Sequence, residues 1–330
     1  MALNYGVHMQ LSSLTSASSK LDAVVPITLK DYGRFVILER TIHRFCKDLF
    51  NTIWVVVPDR DLKEIKDRIK DPIYCIISDS ELIPEFKLFP NRGGWFNQQL
   101  IKLAIASRVE TDFYITLDAD VICVRSIDFS DLIKDGQAVY YQYPPKFAFP
   151  EWYEWADRVL NLLPCPNRAY YNVTPSVLSR DVVLQLQAYL TECSSSQLKN
   201  FTNFNLRTRN SWLLLQTKLV QTLLPKNSHL RQQFLGWESY LLRNIPWTEY
   251  SLYYTFCEAQ GLLDKYHANI DHCIYSTESS VWYQDDYTRW NPESWFSGER
   301  NFFFCVFQST AEISPAEIWE QVKLYVNASK

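Results

Sequence analysis

The sequence lacks any run of about 18 to 20 apolar residues, the length an α-helix needs to cross a bilayer, so no transmembrane helix is expected in its 330 residues. It also lacks a basic start leading into an apolar core. The early segment Leu11 to Lys20 (LSSLTSASSK) is small and polar, which excludes a secretory signal and predicts a flexible leader over residues 1–20. A basic excess is absent as well. With 33 Lys and Arg against 37 Asp and Glu, the net charge is −4, whereas a nucleic-acid binder would show a basic face. No nucleic-acid partner is expected. The eight cysteines include no C-x-x-C pair. Cys75, Cys123 and Cys305 each sit in an apolar run, which points to buried free thiols in a reducing cytoplasm, with disulfides as the alternative. Without secretion, the glycosylation sequons at Asn172, Asn200 and Asn327 carry no weight.

What is present is apolar and aromatic: 47% hydrophobic residues and 15% aromatic, enough to bury one large core or two intimately joined halves. Asp22 to Leu29 (DAVVPITL) predicts a strand, Phe35 to Phe45 a helix, and Asn51 to Pro58 (NTIWVVVP) a second strand. Leu62 to Ile69 then reads as a charged helix and Ile73 to Ile77 as a third strand. Continuous apolar strands alternating with helices predict a parallel α/β sheet covered on both faces. Ligands of such sheets bind beyond the carboxyl ends of the strands. That rim carries Pro26, Thr28, Lys30, Asp31 and Asp59; for each, a plain polar loop role is the alternative.

Two later stretches carry chemistry. In Asn91 to Lys102 (NRGGWFNQQLIK) a Gly-Gly turn opens an amphipathic helix from Trp95 to Ala106. Glycines at a helix start leave the first amides open to an anion, and the helix dipole favours it. Arg92, Gly93, Gly94, Gln98, Gln99 and Lys102 gather there, and Arg92 or Lys102 could neutralise a diphosphate; Trp95 is placed equally well as a ligand contact or as packing. In Asp112 to Ile127 (DFYITLDADVICVRSI) a short buried strand ends in Asp118-Ala119-Asp120 and a second apolar run follows. Two carboxylates between buried runs are costly unless paired. Residues two apart at a strand end point the same way, so Asp118 and Asp120 can share one ion. Hard oxygen ligands suit Mg²⁺ or Mn²⁺, whose shells are completed by substrate phosphates.

The order of these features resembles the GT-A class of nucleotide-sugar glycosyltransferases. GGWFNQQLIKLA, TDFYITLDADVICVR, PWTEYSLYYTF and FCVFQST more closely resemble an uncharacterised bacterial family grouped with them. The resemblance implies a Rossmann-like α/β fold with a mixed, mostly parallel central sheet flanked by helices. It implies a single domain over residues 21–330, with a nucleotide-sugar-binding half (21–130) and an aromatic-rich acceptor and catalytic half (131–330). It also implies a Mn²⁺ or Mg²⁺ ion bridging the D-x-D to a nucleoside-diphosphate sugar, Asp120 binding metal and Asp118 metal or ribose. A late metal ligand, commonly His, belongs to the pattern. Here the last strand offers Gln308 and Ser309 instead, with His267 and His272 upstream.

The second half is aromatic. Tyr140 to Tyr171 (YYQYPPKFAFPEWYEWADRVL at its start) is expected to be irregular and to wall a sugar or form a satellite core. Asn172 to Arg180 reads as a turn before a helix from Asp181 to Tyr189, and Glu192 to Asn210 as a mobile loop or lid. Ser211 to Leu224 reads as an amphipathic core helix, with peripheral contact to the inner face of a membrane as the alternative. Glu249, after the N-cap Thr248 of an apolar helix, is the first candidate for general base on an acceptor hydroxyl. Glu238 is the second, and a capping role is the alternative. Inverting transfer is slightly favoured. The function expected is metal-dependent transfer of a sugar to a hydroxyl on a glycan, glycolipid or small molecule. A non-catalytic carbohydrate-binding scaffold is the rival. A sugar-phosphate nucleotidyltransferase ranks lower, because its Gly-rich basic loop is missing after Val24-Val25-Pro26.

Overall fold

A computed structural model describes residues 19–90, 92–144, 149–165, 167–171, 173–199, 219–220, 222–225, 227–271, 274–275, 280–298 and 302–328. Three strands, β1 (Leu21–Pro26), β2 (Phe50–Val57) and β3 (Tyr74–Ser78), alternate with α1 (Tyr32–Phe45) and α2 (Leu62–Arg68). Helix α3 (Gly94–Ala104) leads to β4 (Phe113–Thr116). The central sheet runs β3-β2-β1-β4, all parallel, and this is the α/β architecture that the resemblance implies. Every residue of β1 is buried because both faces are covered. With side chains alternating along a strand, Ala23 and Val25 meet Phe35, Leu38 and Ile42 on one side, and Val24 meets Leu100 and Leu103 on the other.

Beyond β4 come β5 (Val121–Cys123), β6 (Gln137–Tyr140), helix α4 (Pro150–Val159) and β7 (Ser176–Ser179). Strand β7 pairs antiparallel with β4, Val177 opposite Ile115, and completes a five-stranded sheet. The turn expected over Asn172 to Arg180 is therefore corrected: two of its residues, Val177 and Leu178, are fully buried on opposite faces. The irregular segment expected around Trp152 is also corrected. Pro150 occupies the first turn of α4, where its missing N–H costs nothing, and Tyr153, Ala156 and Val159 form the buried stripe. Helix α5 (Arg180–Lys199) continues through the start of the expected loop. The remainder of that loop, and Ser211 to Lys218 of the expected amphipathic helix, lie outside the described residues, as does most of the expected leader.

The chain closes through α6 (Trp237–Arg243), α7 (Glu249–Ala259), β8 (His267–Asn269), β9 (Phe304–Val306) and α8 (Pro315–Asn327). Strand β9 pairs antiparallel with β5, Ile122 opposite Cys305. Helix α8 packs against α1 around Ile37, Ile318 and Val322. Cys46, Cys75, Cys123, Cys165, Cys193, Cys257 and Cys305 are free thiols. No helix of the described residues is long and apolar enough to cross a membrane.

Candidate active site

The site forms where β4 ends. Leu117 continues the sheet pairing by donating its N–H to the Val24 carbonyl at 2.9 Å, and Val121 N closes a tight turn onto the Asp118 carbonyl at 3.2 Å. Leu117 and Ala119 are buried, while Asp118 and Asp120 are half-buried and line one cavity. The segment after β9 secures the turn. Phe307 N donates to the Asp120 carbonyl at 2.9 Å, and Ser309 N donates to Asp120 Oδ2 at 3.0 Å. Burial and the adjacent Asp118 charge push the Asp120 carboxyl up to about 7, against the opposing pull of Arg34 and the Ser309 amide. Arg34 itself is buried in α1 and donates to the carbonyls of Phe307 at 3.0 Å and Ile313 at 2.6 Å.

Lys102, 1% exposed on α3, stands between two carboxylates: 2.7 Å from Asp118 Oδ1 and 2.9 Å from Glu249 Oε1. It also donates to Thr174 Oγ1 at 3.0 Å and Tyr250 OH at 3.3 Å. Burial works to lower its ammonium, but Asp118 and Glu249 outweigh that and raise it well above its ordinary value. Lys102, one of the two residues expected to neutralise a diphosphate, is here ion-paired within the protein. Glu249 begins α7 behind the N-cap Thr248, whose Oγ1 accepts from Ser251 N. The Glu249 backbone N–H donates to Gln99 Oε1 at 3.1 Å. Its carboxyl is fully buried, and burial raises it despite Lys102. Among the described residues, Glu249 Oε2 has no hydrogen-bond partner.

These groups line a cavity of about 150 Å³ together with Trp95, Gln99, Trp152, Thr174, Thr248, Trp282 and Gln308. A second cavity, about 320 Å³, opens over the ends of β1, β2 and β3 and is lined by Pro26, Thr28, Arg92, Gly93, Gly94, Asn97 and Gln98, with Arg60 and Asp79. Helix α3 separates the two: Trp95, Gln99 and Lys102 face the first, and Gly94, Asn97, Gln98 and Ile101 the second. Gly93 enters that helix at φ +93°, a conformation glycine adopts without strain.

Lys30, Asp31, Asp59 and Glu238 are not brought to either cavity. Lys30 is exposed. Asp59 accepts from the Ser80 hydroxyl, which lies 2.7 and 2.6 Å from its two carboxylate oxygens, and this with the Ser78 hydroxyl holds its carboxyl below the usual range. Glu238 starts α6 beside Glu85, and burial pushes it up to about 7. His267 is buried against Tyr253, and His272 lies outside the described residues. Residues the sequence reading did not single out complete the site: Arg34, Thr174, Tyr250 and Trp282. Tyr250 follows Glu249 directly, and its hydroxyl joins Thr116, at 2.9 Å, to Thr174. Of the tyrosines in the aromatic stretch, Tyr140, Tyr143, Tyr153 and Tyr171 are core; Trp152 is the residue that reaches the cavity.

The fold and site define an α/β protein with a two-carboxylate cavity at the carboxyl end of a parallel sheet. The chain belongs to a family of unknown function, DUF6492, whose model matches residues 18–330. No curated protein sequence matches it. Among solved structures, it is similar to the galactosyltransferase LgtC in complex with donor and acceptor sugar analogs, at 12% identity and a TM-score of 0.35, over 56% of this chain and 67% of that one. It is also similar to the apo form of the glycosyltransferase GlyE of Streptococcus pneumoniae TIGR4, at 12% identity and a TM-score of 0.41. That match covers 93% of this chain and 62% of the other.

Proposed function

We propose that this protein is a metal-dependent glycosyltransferase that moves a sugar from a nucleoside-diphosphate donor to a hydroxyl acceptor. The observation that carries the reading is the convergence, on one cavity, of the Asp118 and Asp120 carboxylates with the buried Glu249. Each aspartate has one oxygen held by the protein, Oδ1 of Asp118 by Lys102 and Oδ2 of Asp120 by Ser309. The other oxygen of each, with the Gln308 amide, makes a hard-oxygen donor set that fits Mn²⁺ or Mg²⁺. No group of three or more His, Cys, Asp and Glu side chains suited to a metal occurs among the described residues. Such a sparse set suits an ion that takes its remaining ligands from substrate phosphates. The ion would supply Lewis acidity at the departing diphosphate.

The chain's own groups would do the rest. Arg92, Gly93, Gly94 and Gln98, with Pro26 and Thr28, would hold the nucleotide and its phosphates over the ends of β1 and β2, and Asp118 would meet metal or ribose. Glu249 would accept the acceptor's proton at Oε2 while Lys102 fixes Oε1, an arrangement that serves attack with inversion. A carboxyl raised by burial is a better base for a hydroxyl than an ordinary one. The free thiols fit a reducing cytoplasm, where the protein would work without crossing a membrane.

Thermal-shift measurements with nucleoside diphosphates and Mn²⁺ test this. One of them should stabilise the protein, Asp120→Ala should abolish the shift, and the matching nucleotide sugar should be slowly hydrolysed. Glu249→Gln should lower acceptor transfer while donor binding persists. A response independent of metal, or none, would overturn the assignment.

A further inference from the structure

At the mouth of the carboxylate cavity the protein leaves large aromatic rings uncovered. Trp95 is 46% exposed and Phe149 51% exposed. Trp152 lies between them, stacked on Phe149 with centroids 4.4 Å apart and planes 24° apart, and 6.3 Å from the Trp95 ring. Trp95, Trp152 and Trp282 also line the cavity itself. The step of rings therefore runs from the surface into the space floored by Asp118 and Glu249. Both supports are firm: Trp95 belongs to the first turn of α3 and Trp152 to the first turn of α4.

From this arrangement we propose that the Phe149–Trp152–Trp95 step is a carbohydrate subsite, and that the hydroxyl acceptor of the proposed transfer is itself a sugar. This deepens the reading given above and rests on it for the word acceptor. A sugar ring offers an apolar C–H face and an equatorial belt of hydroxyls. Aromatic rings match the first, and hydrogen-bond acceptors match the second. The cavity supplies both together. Glu249 lines the cavity, and its Oε2 is buried and unpartnered among the described residues. An acyl chain would meet the rings but would leave that carboxylate oxygen without a donor, a costly outcome in a buried site. Among the described residues the wall carries three indoles and no aliphatic side chain besides Val173 and Val306.

Saturation-transfer NMR on the full chain tests the proposal without requiring turnover. The probes are the methyl glycosides and disaccharides of the common hexoses and N-acetylhexosamines, with nucleoside diphosphate and Mn²⁺ both present and absent. Irradiating the aromatic protons should transfer saturation to the C–H face of at least one sugar. Trp152→Ala should weaken that binding about tenfold, and Trp152→Phe, which keeps a ring, should restore most of it. An unchanged far-UV spectrum would show that the variants are folded. Absence of transfer to every sugar, transfer that Trp152→Ala leaves intact, or a response to phosphatidylglycerol vesicles in place of sugars would overturn the proposal. Sugar binding without any nucleotide response would sustain this subsite while removing the transferase reading, and nucleotide response without sugar binding would do the reverse.

Discussion

Lys102 holds apart, and also holds together, two carboxylates that would otherwise repel across a buried space. Removing one partner of a buried ion pair leaves an uncompensated charge and costs about 3–5 kcal/mol. Lys102→Met should therefore lower the unfolding free energy measured in urea by that order. Adding Glu249→Gln should recover part of the loss, because the stranded charge is then gone. A double variant as unstable as the sum of the singles would show that the two do not act as a pair. His267 gives a different test. Its burial lowers the imidazole to about 3 from an ordinary value near 6.5. Since the folded pKa is below the unfolded one, the unfolded chain binds more protons between those values, and stability falls as pH drops from about 6.5 toward 3. Its contribution should approach ~1 kcal/mol per pH unit, and is read as the difference in unfolding free energy between the native protein and His267→Gln across that range.

Elements carry their own predictions. Helix α7 presents Glu249 and Tyr250, and its start is fixed by Thr248, which is buried and also donates to Ser251 Oγ at 2.8 Å. Thr248→Ala should cost about 1 kcal/mol and speed amide exchange in the first turn of α7, while Thr248→Ser should behave nearly as the native protein. The same elements show what a sequence can and cannot disclose. Strand β4 and its aspartates were legible because a β-branched, aromatic run ending in two carboxylates has few other physical meanings. Strand β7 was not, since Ser176 to Ser179 is four residues with serine at both ends, and its burial comes from pairing with β4 and from the two cores on its opposite faces. In α4, apolar aromatics on several sides hide the stripe of Tyr153, Ala156 and Val159. The Lys102–Glu249 pairing was not legible, because the two residues lie 147 apart in the chain.

Across the whole molecule, Arg34 ties the first helix to the segment that follows the last strand. One guanidinium reaches two carbonyls, Phe307 and Ile313, a fork that lysine cannot reproduce. Arg34→Lys should cost about 1–3 kcal/mol and raise hydrogen exchange between residues 307 and 313, with the central strands still protected. Because Asp120 accepts from Phe307 N and Ser309 N in that same segment, loosening it should also weaken the Mn²⁺-dependent thermal shift. Protection of residues 307–313 equal to that of the native protein would deny Arg34 this role. The lower-order pattern of strands and helices was readable from periodicity, but this closure was not, for it joins residues 273 apart.

Helix α3 has a cavity on each flank, with Gln98 facing one and Gln99, its neighbour in sequence, facing the other. A helix this well packed shifts as a body, so displacing it from one side alters the shape of the space on the other. Were each flank to take a ligand, thermodynamic linkage would make any coupling reciprocal: whatever factor one added to the affinity of the second, the second would return to the first.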